Sequence, residues 1–500
     1  MSREGPLAGR YPAVAVMVVA ALVPYLVLSA ALTPILPIIS RDIGMNLEEA
    51  NLAGGLANAG YALGTVLSVQ LAQHLPQRRM LIVYATVLVI GSVLAAAATG
   101  PVMFISGHIL QGVCTSLLLI AAVPPLVTGF PPGKVRPTAV ILNLCIFGAV
   151  ALGPLIGGIQ ADSDGWRPLF WVIAGISVLA LLLVLATYQN VPPADPTSTR
   201  SPVAVLLAAT GCIAAFYGAT QLLTHRDLNA ATLAPLCAGV ALIVTLLVQQ
   251  FRARRPLLIL RPLTSTMPVS GIIVAMSAAA ASVAAIALSG VLLTDRYSPL
   301  KLGLLYLPEF AGAVITAILF AVLFTTRLLH YFALFGLVCL IAGIALLIGT
   351  LPPSTIVTLT ATGLIGIGVG ASVTPALFIA GFSLRNAALQ RVFAIIELLR
   401  AVSAFMIAPI LLYIATVAGS TPESGIKIAL WISLGLAAAG TLVAVSLYAL
   451  GGLRPPTPSL ANWFGGESAW YSPPLFAAVR RGAHRPGPPG LEEAPEAARP

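Results

Sequence analysis

The sequence predicts an all-α integral membrane protein with 14 transmembrane helices. Of its 500 residues, 58% are hydrophobic and only 8% are charged, and the mean hydropathy is +0.99. Soluble domains contain about 25% charged residues and could not bury this much apolar surface. The apolar residues also form long runs, and a bilayer core needs about 20 of them per helix. The connecting segments are too short to hold a soluble domain.

The predicted spans cover approximately residues 12–38, 51–71, 80–99, 102–128, 138–160, 169–189, 203–223, 231–251, 267–293, 302–324, 330–349, 355–379, 391–417 and 427–450. The first apolar run is longer than the core of a signal peptide and lacks a convincing cleavage site. We therefore interpret it as a retained first helix.

Basic residues are distributed unevenly between the predicted loops. With the N-terminus in the cytoplasm, the cytoplasmic loops hold 12 Lys and Arg residues and the external loops hold 6. Because cytoplasmic loops are enriched in Lys and Arg, this bias predicts that both termini are cytoplasmic. The short loops and the Ala-, Leu- and Arg-rich usage indicate a plasma membrane. Omitting one helix would place the cluster between Arg252 and Arg261 outside. The net charge of +10 thus indicates topology and not a nucleic-acid-binding face.

The last 50 residues differ in composition from the rest. They are polar and rich in Pro and Gly, which predicts a disordered cytoplasmic tail over residues 451–500. Four aromatic residues in this stretch are Trp463, Phe464, Trp470 and Tyr471. These rings either are solvated with the tail or contact the membrane interface, where amphipathic rings are favoured.

Four ionisable residues in the predicted spans are candidates for proton coupling, because a charge at the bilayer centre costs about 2.5–3.5 kcal/mol on insertion scales. They are His108, Glu309, Glu397 and Arg400. Glu309 follows a proline early in the tenth span, near its outer end, where water could reach it, so a role in a vestibule is less expected for it than for the other three.

His108 shares one helical face with Gln111 and Gly112, since side chains three and four residues apart are neighbours. This face is predicted to look into the bundle. The imidazole either relays a proton or forms a packing hydrogen bond with another helix. Gln111 and Asn143, both polar residues in apolar spans, are candidates for lining a substrate cavity.

Glu397 and Arg400 are three residues apart, which allows an ion pair within one helix. The pair either only lowers its own insertion cost or lines a central cavity, where Glu397 exchanges a proton beside Arg400. A third possibility is that Arg400 snorkels to the cytoplasmic surface.

Small residues cluster in the fifth span: Gly148, Gly153, Pro154, Gly157 and Gly158. The lack of side-chain bulk predicts close helix packing, and the proline adds a bend.

The sequence has no P-loop, because Val135 follows Gly133 and Lys134 where Ser or Thr is needed. Neither a catalytic constellation nor a metal-binding or cofactor-binding motif is present, so an enzyme is not expected.

The small-residue stretch GPLIGG, followed by DGWRPLF, resembles the antiporter signature of the fourteen-span drug:proton antiporter branch of the major facilitator superfamily. In the fourth span, HILQG resembles that branch's R-x-x-q-G element, which is implicated in proton coupling, with His108 in place of the arginine. RPLLILRPL and YSPLKLGLLYLPEF resemble the elements that flank its ninth span. Arg400 falls where its thirteenth span often carries arginine.

The loop after the second span is similar to the superfamily's L-A-D-R-x-G-R-R loop but departs from it. In LAQHLPQRRML, Gln73 replaces the aspartate, whereas Arg78 and Arg79 supply the basic end. Leu28 stands where the branch has an acidic residue in the first span. These departures affect charge-based gating and coupling more than the fold.

The resemblance implies two six-helix bundles, within residues 1–190 and 256–450, and two inserted helices within residues 191–255. It also implies a monomeric secondary transporter that works by alternating access, exporting small lipophilic or amphiphilic compounds in exchange for protons. Two alternatives remain open: an uncoupled facilitator or importer, and a transport-dead sensor or scaffold whose tail recruits partners. Deleting residues 455–500 is expected to abolish only the scaffold's function.

Overall fold

A computed structural model describes residues 5–188, 191, 193, 200–452 and 457–477. Over these residues it contains 14 helices long and apolar enough to cross a membrane. They are α1 (Tyr11–Ile43), α2 (Leu47–His74), α3 (Gln77–Ala96), α4 (Pro101–Thr128), α5 (Pro132–Asp162), α6 (Arg167–Thr187), α7 (Pro202–His225), α8 (Ala230–Arg252), α9 (Thr266–Thr294), α10 (Pro299–Leu323), α11 (Leu329–Gly349), α12 (Thr355–Phe382), α13 (Leu389–Val417) and α14 (Pro422–Gly451).

Every predicted span is confirmed, and the differences lie at the helix ends. The largest are at α5 and α14, which begin six and five residues earlier than expected, and at α1, which ends five residues later. Helix α14 starts earlier because Thr421 and Ser424 form a capping box that satisfies the first free N–H groups. A prediction from apolar runs misses such polar first turns.

The helices form two bundles and an inserted pair. In the first bundle, α1 packs on α5, α2 on α4, and α3 on both α4 and α6. In the second, α9 packs on α12, α13 and α14, and α12 also packs on α10 and α11. Helices α7 and α8 pair with each other, and α7 lies against α2 and α13. We propose the predicted limits at residues 190, 255 and 450 as domain boundaries.

The two bundles meet along two helix pairs, α5 with α10 and α2 with α13. Because successive helices run in opposite directions, odd-numbered helices begin and even-numbered helices end on one face, which we call the proximal face. The opposite face is the distal face. On the proximal face, Arg136 donates a hydrogen bond to the Thr325 hydroxyl (2.7 Å), and Gln390 donates one to the Ile120 carbonyl (3.2 Å). The bundles are thus joined there.

Helix α5 is irregular along its length. It opens with a 3₁₀ turn at Pro132–Lys134 and contains a π-helical turn at Leu144–Gly148. A π turn inserts one extra residue into an α-helix and is frequent at functional sites. This widened turn directly follows Asn143, and Pro154 lies further along the same helix. The bend expected from the proline is thus accompanied by a second irregularity.

The glycines of α5 permit close contact with helices of both bundles. A Cβ on Gly153 would lie 2.7 Å from the Val27 carbonyl oxygen of α1, and one on Gly158 would lie 2.4 Å from the Pro299 carbonyl oxygen of α10. Gly157 also abuts α1. Real Cβ atoms do not approach carbonyls this closely, so the helices would have to separate. Gly148 differs, because its Cβ would make only ordinary contacts, at 3.4 Å or more.

We therefore expect Gly158→Ala to lower the free energy of unfolding by about 1–3 kcal/mol through overpacking. Gly148→Ala, in the same helix, is the matched control and is expected to change it by less than about 0.5 kcal/mol. Thermal unfolding of the purified variants in detergent measures the difference. Equal melting temperatures would show that close contact at Gly158 is unimportant.

The prediction of a disordered tail is wrong for residues 457–477. This segment contains a short helix, α15 (Leu460–Phe464), and packs on the proximal face. Trp463 and Trp470 are buried within the protein and contact neither solvent nor lipid, whereas Tyr471 is 71% exposed. Composition failed here because two buried tryptophans suffice to anchor a segment that is otherwise polar. Residues 453–456 and 478–500 of the predicted tail lie outside the described residues.

Candidate functional site

Glu397 and Arg400 form a buried ion pair in α13. The Arg400 Nε donates to one carboxylate oxygen of Glu397 at 2.9 Å, and a second guanidinium nitrogen donates to the other. The Tyr61 hydroxyl, from α2 of the first bundle, donates to the same carboxylate at 2.7 Å. The carboxylate therefore accepts hydrogen bonds from both bundles.

The pair lies deep in the membrane region. Arg400 is 11 residues into α13, about 16 Å along its axis, and its side chain is 5% exposed while that of Glu397 is fully buried. Arg400 therefore does not snorkel to the proximal surface. Because two charges are this far from water, their mutual bonds and those from neighbouring helices must offset a large desolvation cost.

Helix α5, which contains the π turn, also contacts the ion pair of Glu397 and Arg400. The Arg400 guanidinium lies over the Phe147 ring of the π turn, 5.7 Å from its centre. One turn earlier, Asn143 donates to the Gly370 carbonyl (3.1 Å) and accepts from the Thr374 hydroxyl (3.0 Å), both in α12. Asn143, predicted to line a cavity, is fully buried and bridges the two bundles. Protonation of Glu397 would therefore act at a contact shared by α2, α5 and α13.

His108 faces the interior of the first bundle, as its spacing predicts. Its Nδ1 shares a hydrogen bond with the Gln111 amide oxygen (3.0 Å), and the Gln111 amide donates to Ser92 of α3 (3.1 Å). Ser92 in turn bonds to Ser177 of α6 (3.0 Å). Gln111 is thus fully buried in a network joining three helices, and it does not line an open cavity.

Aromatic rings separate His108 from the ion pair. His108 lies beside Tyr25, with ring centres 5.5 Å apart, and Tyr25 stacks on Tyr61 at 5.9 Å. The Tyr25 hydroxyl, however, donates to Asn58. Within the described part of the chain, hydrogen bonds therefore give no continuous route from His108 to Glu397. His108 and the ion pair are thus connected by ring contacts in this part of the chain.

Glu309 lies deeper than the sequence suggested. Helix α10 begins at Pro299, so Glu309 is ten residues in, about 15 Å along the axis. The exposed positions Leu304, Leu307 and Ile318 mark the outer side of α10, and Glu309 lies about 140–200° around the helix from them. Its side of the helix therefore faces the protein. Its depth of about 15 Å also places it away from the end of α10 on the distal face.

Glu309 also differs from Glu397 in having no counter-charge among the described residues. Its residue is partly exposed although it lies on the inward side of α10. Among the residues that the structure describes, no side chain makes a hydrogen bond or ion pair with its carboxylate. An unpaired carboxylate at this depth is free to take up a proton or to meet a positive charge.

Arg78 and Arg79 begin α3 directly after the short turn that ends α2. Arg78 is half-buried and Arg79 is exposed. Gln73, which stands where the resemblance implies an aspartate, is buried at the end of α2. The loop thus lies on the proximal face with an amide in place of the acidic group.

Two residues of the site were missed in the sequence, Tyr61 and Phe147. Tyr61 sits in the middle of an apolar span, where its hydroxyl must find a partner, and this signal was available. Phe147 carried no such signal, because the π turn that positions it cannot be read from the spacing of apolar residues. No cluster of three or more metal-binding side chains occurs among the described residues.

A fourteen-helix membrane protein with charges buried between two bundles has the architecture of a transporter. Residues 17–339 match the family described as Major Facilitator Superfamily. The chain belongs to this superfamily. The chain is thus a member of a superfamily whose curated relatives include proteins named as transporters.

Curated relatives of this superfamily member match it over part of their lengths. YubD of Bacillus subtilis (strain 168), an uncharacterized MFS-type transporter, is 23% identical over 63% of this chain and 62% of its own length. The lincomycin resistance protein LmrB of the same strain is 25% identical, over 37% and 39% respectively. The drug efflux pump JefA of Mycobacterium tuberculosis (strain CDC 1551 / Oshkosh) is 26% identical, over 31% and 33%. The chain thus spans between a third and three fifths of these relatives.

Solved structures of the superfamily share the fold. The human organic anion transporter MFSD10 (TETRAN) superimposes with a TM-score of 0.60 at 13% sequence identity, covering 87% of this chain and 99% of that chain. At this identity the likeness shows the fold alone.

Proposed function

We propose that this superfamily member is a proton-coupled exporter of small lipophilic or amphiphilic compounds. The observation that carries the proposal is the Glu397 carboxylate, which is buried between the bundles and accepts bonds from Arg400 and Tyr61. Protonating it weakens both bonds, so proton uptake alters the contact between α2 and α13. Coupling transport to protons requires such a link between one titrating group and the two bundles.

The direction and location of transport are part of this proposal. Sequence similarity to LmrB and JefA, named for drug resistance and efflux, supports export. The bias of Lys and Arg toward the loops of the proximal face supports a proximal face that is cytoplasmic. Both termini then lie on the cytoplasmic side of a plasma membrane. The molecule acts as a monomer that needs only its substrate, protons and the lipid bilayer, without a cofactor.

Glu309 supplies the second carboxylate of the mechanism. Because it is partly exposed on the inward side of α10 and has no counter-charge among the described residues, it attracts a proton or the positive charge of an amphiphilic cation. Glu397, by contrast, is held by Arg400 and cannot contact a substrate without breaking the pair. The two carboxylates thus have different roles. Glu309 interacts with the substrate, and Glu397 acts at the contact between the bundles.

We assign His108 to packing and not to proton transfer. His108→Gln is expected to keep pH-driven transport within about threefold of the parent while lowering the free energy of unfolding by about 1–2 kcal/mol. The reason is that its described hydrogen bonds end in the Gln111, Ser92 and Ser177 network. Transport and melting are measured on the same preparation. Loss of pH-driven transport in a variant with the parent's melting temperature would show that His108 takes part in proton transfer.

An imposed pH gradient tests the proposed function. Proteoliposomes containing the full chain are loaded with buffer and given a fluorescent lipophilic cation, with and without a pH gradient. We expect the gradient to drive accumulation and an uncoupler to abolish it. Accumulation that does not depend on the gradient or the uncoupler would identify an uncoupled facilitator, which the amide at Gln73 and the leucine at position 28, where the branch has an acidic residue, favour. No movement of any compound would favour the scaffold.

A further inference from the structure

The folded part of the tail, residues 457–477, occupies the proximal face at the boundary between the bundles. It is anchored to the second bundle. Trp463 donates its indole N–H to the Leu384 carbonyl (3.0 Å), and the Ala469 N–H bonds to the Phe382 carbonyl (2.8 Å) at the end of α12. Further along, the Thr266 N–H at the start of α9 bonds to the Pro473 carbonyl (2.9 Å).

The same segment also reaches the first bundle. Helix α15 lies beside the Pro132–Lys134 turn at the start of α5. Trp463 lines a small apolar cavity together with Val123 and Val127 of α4, Leu142 of α5, and Leu377 and Phe393 of the second bundle. The cavity has a volume of about 30 Å³. The seam between α4, α5, α12 and α13 is therefore closed on the proximal face, and a tail residue forms part of its wall.

We propose that residues 457–477 act as a strap that holds the proximal face closed and must shift when this face opens. Alternating access requires α4 and α5 to separate from α12 and α13 on this side. The strap's hydrogen bonds lie with the second bundle, so opening leaves those in place and breaks only its apolar contacts with the first. Burial of Trp463 thus adds to the stability of the closed state alone.

Trp470 adds to the anchoring of the strap on the second bundle. It is buried against His330 of α11, with ring centres 5.0 Å apart, and against Phe382 of α12, at 5.8 Å. These contacts lie within one bundle, so they remain when the proximal face opens, and Trp463 is the aromatic residue of the strap whose contacts change.

Cysteine accessibility tests the strap. In a full-length variant whose five native cysteines are replaced, Leu377→Cys places a reporter in the cavity wall. A membrane-impermeant maleimide is applied to the proximal or the distal side of oriented vesicles. Adding Trp463→Ala is expected to raise the labelling rate from the proximal side roughly tenfold, because part of the closed state's stability is lost. Tyr471→Ala, an exposed aromatic of the same segment, is the matched control and is expected to leave the rate unchanged.

Trp463→Phe keeps a smaller apolar ring in the cavity wall, so a rate between those of the parent and Trp463→Ala is expected. The bond to the Leu384 carbonyl that it loses lies within the second bundle and does not bear on opening. Trp463→Phe also decides the matter if Trp463→Ala does not fold. Equal labelling of the Trp463 variants and the Tyr471 control would overturn the strap, as would a rise of the same size from both sides. The readout needs neither substrate nor pH gradient, so its failure is distinct from failure of the proposed transport.

Discussion

Replacing Glu397 by glutamine is expected to abolish proton-driven transport and to lower the free energy of unfolding by about 3–5 kcal/mol. The carboxylate is fully buried and balances Arg400, whose own side chain is 5% exposed. Without it, the guanidinium is left as an unpaired charge in the membrane region. Uptake driven by a pH gradient and thermal unfolding should be measured on the same preparations.

A double variant separates the loss of coupling from the loss of stability. Glu397→Gln combined with Arg400→Gln removes both charges, so most of the lost stability should return, because the cost lies in the unpaired charge. Proton-driven transport should stay absent. Glu423→Gln is the control, since this exposed carboxylate pairs with Arg296 across 3.6 Å at the surface, where an ion pair contributes only about 0–1 kcal/mol. Recovery of transport along with stability would show that the pair is merely structural.

Replacing Glu309 by glutamine is expected to slow transport without lowering the stability of the fold. Transport of a lipophilic cation should fall tenfold to a hundredfold, in line with the roughly 1.5–3 kcal/mol of a lost charge-assisted contact. The melting temperature should stay the same or rise, because the described residues offer this partly exposed carboxylate no partner to lose. The measurements are initial rates in proteoliposomes and thermal unfolding.

A neutral substrate distinguishes the two roles of Glu309. If the carboxylate only attracts a cation, Glu309→Gln slows the cation and spares a neutral compound of similar size; if it carries a proton, both slow. Unchanged rates for both compounds would remove Glu309 from the mechanism. A large fall in melting temperature would show instead that its carboxylate stabilises the fold.

Most of the fold could be predicted from the sequence because a single physical constraint dominates it. Apolar runs of the length of a bilayer, and short loops biased in Lys and Arg, leave little choice of architecture. What the apolar runs do not show are local backbone features. The π turn at Leu144–Gly148 and the capping box at Thr421 depend on hydrogen bonds and not on hydropathy.

The candidate site was only half predictable. Glu397 and Arg400 were identified as a pair because three residues separate them and because charges in a membrane need partners. The position of Glu309 was misjudged, since its depth depended on where α10 begins. The hydroxyl of Tyr61, which joins the pair to the other bundle, is 336 residues away in sequence. No local pattern indicates such a contact.

The tail shows how composition misleads where a few residues carry the packing. Residues 457–477 are polar on average, yet Trp463 and Trp470 are buried on the proximal face. Deleting residues 455–500 was expected to separate a scaffold from a transporter. Because the deletion also removes the strap, it would alter a transporter as well, and point variants of Trp463 are the sharper test.

Proton movement coupled to substrate is the most direct test of the central claim that Glu397 links proton exchange to the contact between the bundles. A pH-sensitive dye trapped in proteoliposomes reports the proton flux that follows addition of a transported compound. The parent and Glu423→Gln are expected to show substrate-induced proton movement, and the double variant lacking Glu397 and Arg400 is expected to show none while still folding. Substrate-induced proton movement of the same size in the folded double variant would contradict the account.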